Sequence, residues 1–304
     1  MHKIFSLLMV VAVGSLQVVT AQDNEAIAKS VATEIAANPA DMASIVANAV
    51  KANPTAAAEI VRAAIQASNK SKETVATIIK AAADAARAQV AVIVSAAIAE
   101  LNQDKEMSVV VVKAAMGSVP EEAAAIVTAA IQASVPGNES LASIVKAAVE
   151  GAPEQSAAIV IAAIGETNKS SEAINVVVKA AVQGAASESP VIVKAAIGAV
   201  EKSEEIVKGI VSTAVEAAPS AQATAIQAAA IGAAPLLATV IQNTVSEVAS
   251  STNSGGGPDP LNPPGDGDGN NGKDDKNDNN GNAVDGAVTP QLPTIPPSTT
   301  NANP

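Results

Sequence analysis

Ile144-Val145-Lys146-Ala147-Ala148-Val149 is followed 15 residues later by Ile159-Val160-Ile161-Ala162-Ala163-Ile164, and 18 residues after that by Val177-Val178-Lys179-Ala180-Ala181-Val182. Hexamers of the same outline begin at Ile45, Ile60, Ile78, Ile93, Val111, Ile126, Ile192 and Ile210, and the steps between them alternate between 15 and 18 residues. The period is therefore 33 residues. A unit of that length holds two short helices, and a fixed internal period of this kind marks a stack of helical pairs.

Within one unit the pattern is helical. Ala57, Ile60, Val61, Ala64 and Ile65 recur at intervals of three and four, while Glu59, Arg62 and Gln66 point elsewhere, which is the spacing of an amphipathic helix. Alanine, the strongest helix former, fills most remaining positions. Weaker copies at Ser30 to Ile35, Ile226 to Ile231 and Val240 to Val245 extend the array at both ends, as terminal units that face water do. The expectation is an all-α, alanine-rich α-solenoid of about fourteen short helices over residues 22–249. One hairpin of this size buries too little surface to stand alone, so stability must come from stacking of units.

Two kinds of connection alternate. Pro54, Pro120, Pro153, Pro190 and Pro219 fall between the paired hexamers, where proline ends the preceding helix. The longer connections are polar: Asn69 to Glu73, Asn102 to Glu106, Gly137 to Ser140, Asn168 to Glu172 and Glu201 to Glu205. They carry turn and N-cap residues followed by acids suited to the positive first turn of a helix. Between Ile78 and Ile93 the chain runs Ala81-Ala82-Ala83-Asp84-Ala85-Ala86-Arg87-Ala88 without Pro or Gly, which leaves open whether 73–100 is one helix or two.

The period is close to that of tetratricopeptide and ankyrin arrays. The aromatic and Gly-Tyr positions of the first and the Thr-Pro-Leu-His pattern of the second are absent, so the resemblance is to the α-solenoid class alone.

The first residues, Met1-His2-Lys3, then the apolar stretch Ile4 to Val13, then Val19-Thr20-Ala21 before Gln22, have the layout of a secretory signal peptide over residues 1–21. The apolar segment is short against the roughly 20 residues of a membrane span. Cleavage after Ala21 would remove His2 and Phe5, leaving a chain with no His, Cys, Phe, Tyr or Trp. Triads, histidine proton shuttles and zinc or haem sites draw on those residue types, so the chain is read as non-enzymatic, without a cofactor. The formal charge of −12 argues against nucleic acid and anionic membranes as partners. The expected location is secreted: periplasmic, cell-surface or extracellular.

After Ala249 the composition turns to Ser, Gly, Asn, Asp and Pro, and residues 250–304 read as a disordered acidic tail. Asp266, Asp268 and Asn270 alternate in the manner of calcium ligands. The sixth and twelfth positions of an EF-hand reading hold Asn271 and Asn277, where Gly and a bidentate acid belong. Lys80, Lys113, Lys146 and Lys179 lie one period apart and form a candidate surface ladder for an anionic polymer, with Asp84 and Glu150 placed to neutralise Lys80 and Lys146. Glu121-Glu122 and Glu204-Glu205 sit at expected helix starts. Asn69-Lys70-Ser71, Asn138-Glu139-Ser140 and Asn168-Lys169-Ser170 match the glycosylation acceptor pattern in what read as equivalent loops.

These features point to a secreted structural or scaffold protein, with head-to-tail self-association and cell-surface or matrix components as its expected partners, and no stable membrane insertion. The alternative is a monomeric binding module for an extended peptide or anionic polysaccharide.

Overall fold

Fourteen helices follow one another through residues 23–253, the part of the chain that the computed structural model describes. They are α1 (23–37), α2 (Met42–Ala52), α3 (Ala57–Ala67), α4 (Lys72–Ala85), α5 (Val90–Glu100), α6 (Lys105–Ser118) and α7 (Ala123–Ala133). The second half comprises α8 (Asn138–Gly151), α9 (Ser156–Gly165), α10 (Ser171–Gly184), α11 (Ser189–Ala199), α12 (Glu204–Ala217), α13 (Ala223–Ala233) and α14 (Ala238–Asn253). No strand occurs among the described residues.

From α2 onward each helix packs chiefly against the helix two places along the chain, so the even helices make one layer and the odd helices a second. This is the two-layer arrangement of an α-solenoid. The hexamers lie between the layers: Ile60, Ile78, Ile93, Val111, Ile126, Ile159, Val177, Ile192 and Ile210 are all wholly buried. Each such side chain stabilises the stack by about 1.5–3 kcal/mol relative to exposure. Even-layer backbones approach closely. A Cβ built on Gly184 would meet the Lys146 carbonyl oxygen at 3.0 Å, and one on Gly151 would meet Met116 Cβ at 2.8 Å.

The short connections share one geometry. Asn53, Ala86, Val119, Ala152, Ala185 and Ala234 have φ between −135° and −147° and ψ between 63° and 79°, and each is followed by a single 3-10 turn. Pro54, Pro120, Pro153 and Pro235 open four of those turns, but Arg87 and Ala186 open the others. Residues 73–100 therefore form two helices, α4 and α5, broken at Ala86 without proline. The amide of Ala86 still donates to Ala82 (3.0 Å), and its carbonyl accepts from Gln89 (2.9 Å). Burial of Ile78 and Ile79 before the turn and Ile93 and Val94 after it drives the reversal, because packing across units overrides local helix propensity.

Two prolines behave differently from the expectation. Pro190 lies in the first turn of α11, after the break at Ala185. Pro219 follows Ala218 in an extended conformation, where the step from Ile210 to Ile226 is 16 residues. At the ends of the array the long polar connection gives way to a short one: α1 meets α2 at Asn38 and α13 meets α14 at Ala234, both in the shared turn geometry.

Candidate functional site

The long connections begin the even helices and carry the richest side-chain chemistry. Ser71, Asp104, Ser170 and Ser203 cap α4, α6, α10 and α12, accepting from the amides of Thr74 (3.2 Å), Met107 (2.8 Å), Ala173 (3.2 Å) and Ile206 (3.3 Å). Each such cap contributes about 1 kcal/mol. The second residue of each of these helices, and of α8, is a glutamate: Glu73, Glu106, Glu139, Glu172 and Glu205.

Three of those glutamates receive a hydrogen bond from the first residue of the preceding even helix. Lys72 Nζ donates to Glu106 (2.6 Å), Lys105 donates to Glu139, and Asn138 Nδ2 donates to Glu172 (2.7 Å). The offset is 34 residues, one more than the period, and it recurs in Arg87 with Glu121 (2.5 Å), Gln66 with Glu100 (2.9 Å) and Gln132 with Glu166 (2.9 Å). Bonding to Glu106 pushes the Lys72 ammonium above the usual lysine range, and the Lys105 ammonium holds Glu139 below the usual carboxylate range. Glu73 is lowered by its own backbone amide and then by the Ser71 hydroxyl, and Glu121 by its own backbone amide and then by Arg87. Composition alone does not reveal these rungs. The visible signal was a row of Glu at period 33 beside a row of donors.

The lysine ladder is exposed on α4, α6, α8 and α10, so all four residues lie on the even layer. Glu150 pairs more closely with Lys113 (2.7 Å) than with Lys146 (3.9 Å), which makes it a link between units as well as within one helix. The anticipated pairing of Lys80 with Asp84 is not formed: among the described residues Lys80 and Lys179 have no ion pair within 4.0 Å. Both side chains are exposed, where holding two long chains together gains little.

Glu122 is the N-cap residue of α7 but makes no side-chain cap bond, and Glu121 turns instead to Arg87. Glu204 and Glu205 do open α12, behind the cap of Ser203. Asn69 and Asn168 occupy matching loop positions, whereas Asn138 is the first residue of α8 and so is not equivalent to them. Asp266, Asp268 and Asn270, the tail from Ser254 and the leader through Gln22 lie outside the described residues.

Two of the five long connections share one arrangement, and the loop between α7 and α8 departs from it at a proline. In Ser68-Asn69-Lys70-Ser71 the Ser68 hydroxyl donates to Ile65 O (2.8 Å) and accepts from the Lys70 amide (3.1 Å), while Asn69 Oδ1 accepts from the Ser71 amide (3.0 Å). Thr167-Asn168-Lys169-Ser170 repeats the arrangement, with Thr167 bonded to Ile164 O (2.7 Å) and to the Lys169 amide (3.2 Å). Lys70 and Lys169 take left-handed backbone, at φ 54° and 56°. The equivalent loop between α7 and α8 reads Ser134-Val135-Pro136-Gly137. Proline has no amide to offer Ser134 and cannot adopt a positive φ, so the loop takes another path, with Gly137 at φ 156°. The cap of α8 is lost, Val135 is half exposed, and the Ser134 hydroxyl, in a residue 6% exposed, has no hydrogen-bond partner. Beside this loop a groove of about 410 Å³ runs toward the next long connection, lined by Ser134, Val135, Pro136, Leu141, Glu166 and Asn168 among others.

The two layers differ in charge. Helices α7 and α9 carry no charged residue at all and α5 only Glu100, and Val92 and Ile161 are about half exposed there. The even layer bears the lysine row and the glutamates opposite it. No helix among the described residues is long and apolar enough to cross a membrane. No protein-family profile matches the chain, and no curated protein matches it.

Proposed function

We propose that this chain is an exported, non-enzymatic scaffold whose finite helical array presents a repetitive surface to a partner outside the cytoplasm. The supporting observation is the way the array ends. Exposed residues of the terminal helices are mostly polar: Asp23, Glu25, Lys29 and Glu34 on α1, and Gln242, Asn243, Ser246 and Glu247 on α14. Neither helix has an exposed large hydrophobic residue. Polar outer faces on end units stop a solenoid from extending by addition of further units. Export rests on the leader pattern through Ala21, and the first residue of the secreted product tests it, with Gln22 expected.

A second reading, head-to-tail assembly into extracellular fibres or matrix, is supported by Leu236, which is 99% exposed in the turn before α14. A non-closing contact of that kind generates filaments. Light scattering with electron microscopy of the mature chain separates the two. A concentration-independent monomer is the expected result, and ordered fibres would replace the finite-array reading with the matrix-forming one. On the finite array the row of Lys80, Lys113, Lys146 and Lys179 is the surface offered to an anionic polysaccharide or acidic peptide. Binding through it would weaken with salt and be lost in Lys80→Glu/Lys179→Glu.

A further inference from the structure

The groove beside the α7–α8 loop is defined by what its loop lacks relative to the α3–α4 loop. At the α3–α4 loop, Glu100 of the next odd helix receives Gln66 Nε2 (2.9 Å) and lies 3.6 Å from Lys70 Nζ. Shifting every member by 66 residues, two periods, gives Gln132, Pro136 and Glu166. Gln132 still donates to Glu166 (2.9 Å), but Pro136 stands where Lys70 stood. The carboxylate has kept its neutral donor and lost its cation. The Ser134 hydroxyl beside it has no partner, whereas its counterparts Ser68 and Thr167 donate to the carbonyl three residues back and accept from the amide two residues on, an amide that Pro136 lacks.

We infer that this groove binds the lysine side chain of an extended, basic peptide segment of a partner protein, its ammonium taking the place at Glu166 that Lys70 holds at Glu100. The lining fits that occupant. Val135, Pro136, Leu141 and Ile144 offer an apolar wall to a four-carbon stem, and no lysine or arginine lines the groove to repel the charge. A volume of about 410 Å³ is within the range of ligand clefts. A peptide carbonyl supplies the acceptor that the buried Ser134 hydroxyl lacks, and a buried hydroxyl without a partner is otherwise a cost. The chain's charge of −12 draws basic segments toward it. In a protein that caps α4, α6, α10 and α12 alike, the loop that abandons its cap is where function is expected to override local consistency. The inference is independent of the lysine row, which lies on the exposed flank of the even helices, and of the finite-array reading.

The test is a methyl NMR titration of the full chain with the peptide N-acetyl-Ala-Lys-Ala-amide, following Val135, Leu141 and Ile144. Saturable shifts confined to these methyls are expected. Replacing the peptide's lysine by norleucine, or Glu166→Gln in the protein, should weaken binding about fivefold, as loss of one solvent-exposed ion pair does. The triple variant Val135→Asn/Pro136→Lys/Gly137→Ser rebuilds the Asn-Lys-Ser loop with its own lysine. It should keep the helical circular dichroism and lose the site. Absence of saturable shifts, equal binding of the norleucine peptide, or unchanged binding by the triple variant would each overturn the inference. Saturation of the same methyls by n-butylammonium as tightly as by the peptide would assign the site to free amines and overturn the peptide as occupant.

Discussion

Lys72 Nζ donates to Glu106 Oε2 over 2.6 Å, although the two residues are 34 apart in a chain whose period is 33. The first residue of one even helix meets the second residue of the next, so each rung reaches diagonally from one unit to its neighbour. The rungs join surface groups, and pairs in water contribute little to stability one by one. Their part is to fix which unit face meets which, while the buried hexamers supply the stability.

Acid should weaken the rungs before alkali does. Glu139 is held below the usual carboxylate range when folded, so its contribution is complete above the unfolded value and is lost as pH falls through the folded one. Lys72 is raised, so its contribution is complete below the ordinary lysine value and is lost only as strongly alkaline pH passes the folded value. Glu121, bonded to Arg87, is lowered as well, so the melting temperature should fall on the acid side, and Glu121→Gln/Glu139→Gln should flatten that acid limb. Thermal melts from pH 7 to pH 3 check it; an unchanged limb in the double variant would show that the rungs do not contribute.

Core truncation is expected to be far more costly. Ile126 is wholly buried in α7, between α5 and α9, and Ile126→Ala should destabilise by about 2–5 kcal/mol. Urea unfolding measures it. Val92→Ala, at a half-exposed position of the neighbouring helix α5, should change stability by less than about 1 kcal/mol.

The turn at Ala86 predicts opposite effects from two adjacent prolines. Arg87 opens its 3-10 turn where five equivalent turns carry proline, at Pro39, Pro54, Pro120, Pro153 and Pro235. Arg87→Pro should be neutral or stabilising by up to about 1 kcal/mol, less the small loss of the Glu121 pair. Ala86→Pro must give up the 3.0 Å bond to Ala82 and a φ of −142°, and should cost about 3 kcal/mol. Denaturant midpoints of the two variants compare them directly.

Glycines test the close approach of the even helices. A Cβ added at Gly117 would have nothing within 4 Å, whereas a Cβ at Gly184 meets the Lys146 carbonyl at 3.0 Å. Gly117→Ala should stabilise by about 0.5–1 kcal/mol. Gly184→Ala should give back that gain and more, because backbone rather than a flexible side chain must move. Equal effects at the two sites, read from denaturant midpoints, would mean that the even helices are not in close contact at Gly184.

Much of this molecule was legible in its residues. The alternation of 15 and 18 implied two helices per unit, the hexamers marked the core, and the polar connections marked the stretches in which Ser71, Asp104, Ser170 and Ser203 cap the helices. Burial of one apolar face and satisfaction of helix ends are local demands, and local demands leave a periodic trace. The break at Ala86 left no such trace, since Ala81 to Ala88 is uniformly helix-forming and only packing against neighbouring units reverses the chain there. The same holds for Glu150 turning to Lys113 instead of Lys146, and for the groove beside Pro136 and Glu166. Periodicity in the sequence determined what each unit is. Contacts between residues a whole period apart, which no local spacing encodes, were decided by the tertiary stacking of one unit on the next.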